Sequence, residues 1–272
     1  MCRKPIFAIA IFTLLFCAGC ALNSRTVQMQ EETICKDLGR FIFKGDLNGD
    51  KKDDLIVGMP TANFNRGEIH IFYGDIDENT SLSFADATIH GENKGDSVGE
   101  FIITCDLDGD STDDLVIGVP AANSNRGEVY IFYSLNGVRS SILEADAVIE
   151  GEESGNGLGR FLWMADLNGD AKEDLIIGVP AANHNRGKIF IFYGRDMWGR
   201  TSLSFADVTI EGKNEGDRLG EFLLTGDFDK DGKGDLAVGI PTANSKGGEI
   251  YLFYGGELRD TSISFENPAI QR

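Results

Sequence analysis

The chain has 272 residues, and its 44 acidic against 25 basic side chains leave a formal charge of −19. That imbalance excludes nucleic acid as a natural partner, because a phosphate backbone is bound through clustered cations. Much of the acid is local, concentrated in Asp-rich loops where four divalent ions would offset eight units of that charge of −19.

At the start of the chain Arg3 and Lys4 form a short basic region, and Ile6 to Phe16 an apolar stretch too short to span a bilayer. Cys17-Ala18-Gly19 is a small-residue exit, so residues 1–19 read as an export signal and the mature protein lies outside the cytoplasm. Ala18-Gly19-Cys20 resembles the bacterial lipobox, with Cys17 where Leu is usual, which makes Cys20 the candidate lipidation site. The expected location is a lipid anchor in a bacterial membrane, at the outer membrane or cell surface. Ordinary cleavage near Ala21 would instead leave the protein periplasmic or secreted. No other hydrophobic segment approaches membrane length. Cys2 and Cys17 leave with the signal, and Cys35 and Cys105 occupy unlike places in the sequence pattern, which favours two free thiols over a disulfide.

Residues 20–37 are polar and aperiodic, a tether between anchor and folded part. From Leu38 the chain repeats, in units of about 38–97, 98–157, 158–218 and 219–272. Each unit predicts a strand (Arg40 to Lys44 in the first), an acidic loop, a second strand ending in Gly-x-Pro, a Thr/Ala-Ala-Asn turn, a third strand (Glu68 to Tyr73), and a fourth (Ala87 to His90). Pro60, Pro120, Pro180 and Pro241 each follow that second strand and end it. Four strands per unit at this period predict an all-β fold of propeller blades, since helical solenoids and leucine-rich repeats have helical or shorter units.

The acidic loops start at Asp46, Asp106, Asp166 and Asp227, 60 or 61 residues apart, with side-chain oxygens at positions 1, 3, 5 and 9 and a backbone carbonyl at position 7. In the first loop these are Asp46, Asn48, Asp50, Lys52 and Asp54; in the second Asp106, Asp108, Asp110, Thr112 and Asp114. The third has Asp166, Asn168, Asp170, Lys172 and Asp174, and the fourth Asp227, Asp229, Asp231, Lys233 and Asp235. Hard oxygen donors in this register select calcium, up to four structural Ca²⁺ ions in all. An EF-hand is excluded: position 12 is Val57, Ile117, Ile177 or Val238 rather than Glu, and strands, not helices, flank each loop. An acidic hairpin turn needs only one or two Asx residues, not four in register.

Leu38-Gly39, Val98-Gly99, Leu158-Gly159 and Leu219-Gly220 before the first strands, the acidic loops, and Gly58-Met59-Pro60 with its three counterparts together resemble the FG-GAP repeat of integrin α-chain propellers. The resemblance spans nearly all of the mature chain. It implies calcium at the acidic loops on one face of a β-propeller, with ligands or partners met on the opposite face. Integrin propellers have seven blades, whereas this chain has four units, which could close as a small ring, stay an open arc, or pair between two chains into a larger ring. Ser264 to Ile270 repeats the pattern of Ser83 to Ile89 and thus completes the last unit, favouring a closed four-bladed ring.

On the opposite face the Asn-x-Asn-Arg-Gly turns place Arg66, Arg126 and Arg186 at one position, with Lys246 one residue out of register. A circle of guanidinium groups would suit a carboxylate or sulfate ligand, such as an acidic polysaccharide. The same residues also read as plain turns with solvated Arg and Gly67, Gly127 and Gly187 at positive φ. Phe64, Ser124, His184 and Ser245 vary at one turn position, Trp163 reads as core, and Trp198, in a longer loop, is available to stack on a sugar. His70, His90 and His184 sit in no catalytic or zinc-ligand spacing. The expectation is a non-enzymatic binding or adhesion module with a protein or glycan ligand, touching membrane only through its lipid. A calcium-dependent polysaccharide-degrading enzyme and a purely architectural envelope lipoprotein are the rivals.

Overall fold

The structure, a computed structural model, describes residues 38–74, 76, 80–135, 139–242, 248–256, 258, 261–263 and 270–271. The export signal, the tether, Cys20, Cys35, Ser245 and Lys246 lie outside the described residues. Among those described, no helix is long and apolar enough to cross a membrane.

Short runs of β-branched and aromatic residues, each bounded by an Asp-rich loop or a Pro, fold as strands. Unit 1 contains β1 (Phe41–Gly45), β2 (Asp54–Met59), β3 (Glu68–Phe72) and β4 (Ala87–His90). Unit 2 contains β5 (Phe101–Cys105), β6 (Asp114–Val119), β7 (Glu128–Phe132) and β8 (Ala147–Glu150). Unit 3 contains β9 (Phe161–Ala165), β10 (Asp174–Val179), β11 (Lys188–Phe192), β12 (Gly199–Ser202) and β13 (Val208–Gly212). Unit 4 contains β14 (Phe222–Gly226), β15 (Asp235–Ile240), β16 (Glu249–Phe253), β17 (Thr261–Ile263) and β18 (Ile270–Gln271). Each second strand stops at the residue before its Pro, as expected from the missing N–H.

In unit 1 the sheet order is β1-β2-β3-β4, all antiparallel, with Phe43 opposite Ile56 and Ile69 opposite Ile89. Side chains alternate across such a sheet, and apolar residues stand on both faces, so that successive units pack face to face in three inter-unit cores. One core joins Ile56, Ile69, Ile71 and Ile89 of unit 1 to Ile102, Leu115, Ile117 and Phe132 of unit 2. The next joins Val116, Val129, Ile131 and Ile149 to Leu175, Ile177, Val179 and Phe192, and the third carries the same pattern from Ile176, Ile189 and Ile191 to Leu236, Val238 and Phe253. First strands of successive units lie against one another, β1 on β5, β5 on β9 and β9 on β14.

At each of these junctions glycine is obligatory for a steric reason. A methyl group on Gly118 would fall 1.8 Å from the carbonyl oxygen of Gly159 in the next unit, and Gly58 meets Gly99 in the same way at 1.9 Å. The Gly of Gly-x-Pro and the Gly before the next first strand are therefore two halves of one contact.

The sheets depart from the four-strand expectation. β12 pairs in parallel with β8, and β17 with β13, so a unit completes the outer edge of the preceding sheet; a single bridge from His90 to Ser141 marks the same place on unit 1. Of Ser264 to Ile270 only the final residue is described, and there β18 pairs in parallel with β16 rather than antiparallel as β4 does with β3. Closure of unit 4 onto unit 1 is not shown.

Candidate metal centre and the opposite face

The acidic loops join the first and second strands, and the Asn-rich turns join the second and third, so antiparallel pairing puts them at opposite ends of each sheet. In the first three loops the position 2 side chain fixes the hairpin: Leu47, Leu107 and Leu167 are buried in the cores between units, whereas Phe228 of the fourth is 46% exposed. The neighbouring carboxylates then turn inward onto backbone N–H groups. Asp46 accepts from Gly49, Asp50 and Lys51 at 2.8 to 3.0 Å, and Asp54 accepts from Leu47 at 2.9 Å and Gly74 at 3.1 Å. Asp106 and Asp114 repeat this with Gly109, Ser111, Leu107 and Ser134.

The position 9 residues Asp54, Asp114, Asp174 and Asp235 are all buried. Burial pushes the Asp114 carboxyl up to about 8 and that of Asp174 to about 6, against N–H donors that pull the other way. Such groups hold charge uneasily without a cation.

Among the described residues, two loops bring three carboxylates together. In Asp106, Asp108 and Asp114, and again in Asp227, Asp229 and Asp235, one oxygen from each residue lies within 4.8 Å of the others. These are the loops with Asp at position 3; the other two have Asn48 and Asn168 there. The donor set is all hard oxygen, so both clusters are consistent with Ca²⁺. The position 5 residues stand outside them. Asp50, Asp110, Asp170 and Asp231 accept the N–H of position 7, that is of Lys52, Thr112, Lys172 and Lys233, and Asp110 also takes the hydroxyl of Ser134 at 3.1 Å. The Lys172 ammonium reaches the Asp108 carbonyl at 2.5 Å, tying loop 3 to loop 2.

At the opposite end, the turns are more unusual than a plain Asn-Arg-Gly bend. Three consecutive non-glycine residues adopt left-handed backbone in each of the three described turns, Asn63, Phe64 and Asn65 in unit 1, at φ 53°, 63° and 59°. This aims successive carbonyls at the linker to the next unit: Asn65 accepts from Gly95 and Ser97, Arg66 from Val98, and Gly67 from Gly91. Asn tolerates this conformation better than most residues, which accounts for its place on both sides of the variable position. Gly67, Gly127 and Gly187 do have positive φ. Arg66 and Arg186 are half-buried and Arg126 exposed; Arg186 faces Glu215 at 3.6 Å. A cleft of about 500 Å³ opens on this face where residues of all four units converge, lined by Asp96, Glu100, Asn125, Arg160, Arg218 and Glu221 and not by the three turn arginines.

Trp198 is 68% exposed and tilts against Tyr133 at 5.6 Å, whereas Trp163 stacks on Phe161 beside the third core. Cys105 is a free, buried thiol. Unit 1 also gathers a group missed in the spacing of its histidines. Glu68 lies between His70 and His90, 3.3 Å from each, and the approach of His70, with His90 beside it, holds the Glu68 carboxyl below its usual range. The signal was present in the strand pairing, which sets Glu68 across from His90.

Two stretches, residues 98–132 and 219–253, match the family model described as FG-GAP repeat. The chain carries FG-GAP repeats. It is 29% identical to integrin alpha-PS2 of Drosophila melanogaster over 231 residues, 79% of this chain and 16% of that protein. It is 32% identical over 183 residues to phosphatidylinositol-glycan-specific phospholipase D of Rattus norvegicus, 61% of this chain and 22% of that protein. The FG-GAP segment is thus distantly homologous to both, while spanning less than a quarter of either. Among solved structures, rhamnogalacturonan lyase YesW aligns with a TM-score of 0.48 at 16% identity, over 81% of this chain and 42% of that one.

Proposed function

We propose that the protein is a calcium-stabilised binding module of FG-GAP blades, exported and held at a bacterial membrane by lipid on Cys20, without catalytic activity of its own. The observation that carries this is the pair of clusters Asp106/Asp108/Asp114 and Asp227/Asp229/Asp235. Position 1, 3 and 9 carboxylates of these loops would hold the ion, and loops 1 and 3 would hold a weaker one through Asn48 or Asn168. Bound calcium supplies the charge that three converging carboxylates lack. The residues themselves do the rest: Leu107 and the Asp114 contact fix the hairpin, and the hairpin fixes the spacing of adjacent sheets.

The opposite face is then a rigid platform for a protein or glycan. Its central cleft mixes Arg160 and Arg218 with Asp96, Glu100 and Glu221, a lining suited to polar, hydroxyl-rich ligands. Exposed Trp198 offers a separate aromatic plane in unit 3, at the acidic-loop end of the sheets, where Gly194 of the same segment donates to Asp174.

Thermal melts of the purified chain in millimolar Ca²⁺ and in excess EDTA test the metal role. Each site held at about ten times its dissociation constant adds about 1.4 kcal/mol, and equal melting temperatures would sink the reading. Calorimetric titration should rank loops 2 and 4 above loops 1 and 3. A glycan array, including acidic polysaccharides, separates the functional classes: binding without turnover supports the module, and turnover supports an enzyme.

A further inference from the structure

In units 1 to 3 the first residue of the third strand sits across from the end of the next antiparallel strand: Glu68 from His90, Glu128 from Glu150, and Lys188 from Glu211. Units 2 and 3 each supply a permanent cation at this station. Arg200 donates to Glu128 at 2.9 Å and to Glu150 at 2.6 Å, and Lys188 pairs with Glu211 at 2.6 Å. Among the described residues no Lys or Arg pairs with Glu68. Arg139, which holds the place of Arg200 in the repeat, turns to Asp146 at 3.0 and 3.1 Å instead. The Glu68 side chain, 17% exposed, meets two imidazoles and the Asn63 amide, which donates to its Oε1 at 3.2 Å.

Two of the three histidines in the chain thus converge on one carboxylate. His70 Nε2 is 3.3 Å from Oε2, and His90 Nδ1 is 3.3 Å from Oε1. His70 is 8% exposed and its Nε2 is buried without a hydrogen-bond partner, so the carboxylate stands beside the axis of that nitrogen rather than along it. A proton on Nδ1, shared with the Thr88 hydroxyl at 3.3 Å, leaves Nε2 as a lone pair facing a carboxylate oxygen. That arrangement is costly until a cation enters it. Two donors bound to one tetrahedral zinc ion at about 2.0–2.1 Å stand about 3.3 Å apart, each off the axis of the other.

We propose that Glu68, His70 and His90 form a site for a transition-metal dication of the zinc class, separate from the calcium loops in place and in chemistry. It lies at the Asn-turn end of the unit 1 sheet, where Glu68 pairs with Met59, the residue before Pro60. Imidazole nitrogens select Zn²⁺, Ni²⁺ or Cu²⁺, whereas the all-oxygen loops select Ca²⁺. As the side chains stand, each imidazole faces a different carboxylate oxygen, and His90, with its side chain 47% exposed, is the ring free to turn inward. Three protein donors leave a fourth position to water or to a donor atom of a ligand. The backbone N–H of His90 also bonds the Ser140 carbonyl at 3.0 Å, at the bridge from the outer edge of unit 1 to unit 2, so an ion here anchors that edge.

Calorimetric titration of the purified chain with Zn²⁺ in millimolar Ca²⁺, which keeps the acidic loops filled, tests this. One zinc ion per chain is expected. Glu68→Gln, His70→Ala and His90→Ala should each weaken it at least tenfold, and His184→Ala should leave it unchanged. Circular dichroism and melting report whether each variant keeps its fold; His90→Ala, at a half-exposed side chain, should keep it. Co²⁺ in place of zinc should give the visible absorption of a low-coordinate nitrogen and oxygen site and lose it in His90→Ala. Zinc that binds only after Ca²⁺ is withdrawn overturns the proposal in favour of the acidic loops. Zinc binding that survives His90→Ala and Glu68→Gln at full strength overturns it as well, and no zinc binding at all leaves the group a plain ion pair of Glu68 with protonated histidine.

Discussion

Asp114 is buried, accepts N–H bonds from Leu107 and Ser134, and has its carboxyl raised to about 8 by desolvation. Between an unfolded value near 4 and that folded value the native state binds more protons than the unfolded chain, so calcium-free stability falls as pH rises. Asp174, raised to about 6, acts in the same direction over a narrower window. Melting in EDTA should therefore occur at a lower temperature at pH 8 than at pH 5, and Asp114→Asn should flatten that slope. A higher melting temperature at pH 8 would contradict it. The register shared by Asp114 and its three counterparts was legible from spacing alone, and two of the four, Asp114 and Asp235, do join a cluster of three carboxylates. That positions 1, 3 and 9 converge while position 5 does not was beyond the pattern, since it depends on position 5 capping the N–H two residues on. The bracket of Glu68 by His70 and His90 was likewise a matter of strand register, not of sequence distance.

The strands and their ends were readable in the runs of β-branched residues and in the Pro after each second strand. What the Gly before that Pro does was not, because its neighbour is a backbone carbonyl some forty residues away. Gly118→Ala must push Gly159 out of contact, an overpacking cost of about 3 kcal/mol, or roughly 6–12 °C in melting temperature. Thermal unfolding monitored by circular dichroism checks this against Gly239→Ala, whose added methyl has only Phe222 near it, at 3.4 Å, and should change the chain little. Side-chain bonds brace the same junctions: Asp113 accepts the N–H of Asp46 at 2.8 Å and Glu173 that of Asp106 at 3.2 Å. The parallel strands β12 and β17 escaped notice because Gly-Arg-Thr-Ser and Thr-Ser-Ile carry little alternation; they are held by the edge they join.

For the molecule as a whole, stability resides between units rather than within them, as in other repeat arrays. No single sheet covers its own faces. Removal of residues 219–272 should accordingly uncover Ile176, Ile189, Ile191 and Ile210 of unit 3 and leave the outer edge of β13 unpaired. The shortened chain is expected to bind a fluorescent apolar dye strongly and to aggregate at concentrations where the full chain is soluble. Unchanged dye binding and solubility would count against it.

The added strand has a consequence for synthesis. β8 is finished at Glu150, but the strand that pairs with its outer edge begins only at Gly199, about fifty residues later. A polypeptide emerging from the ribosome or from a translocation channel thus carries an incomplete blade through several seconds of elongation. Folding of each unit waits on the arrival of its successor, and the growing end is where a chaperone would find its substrate.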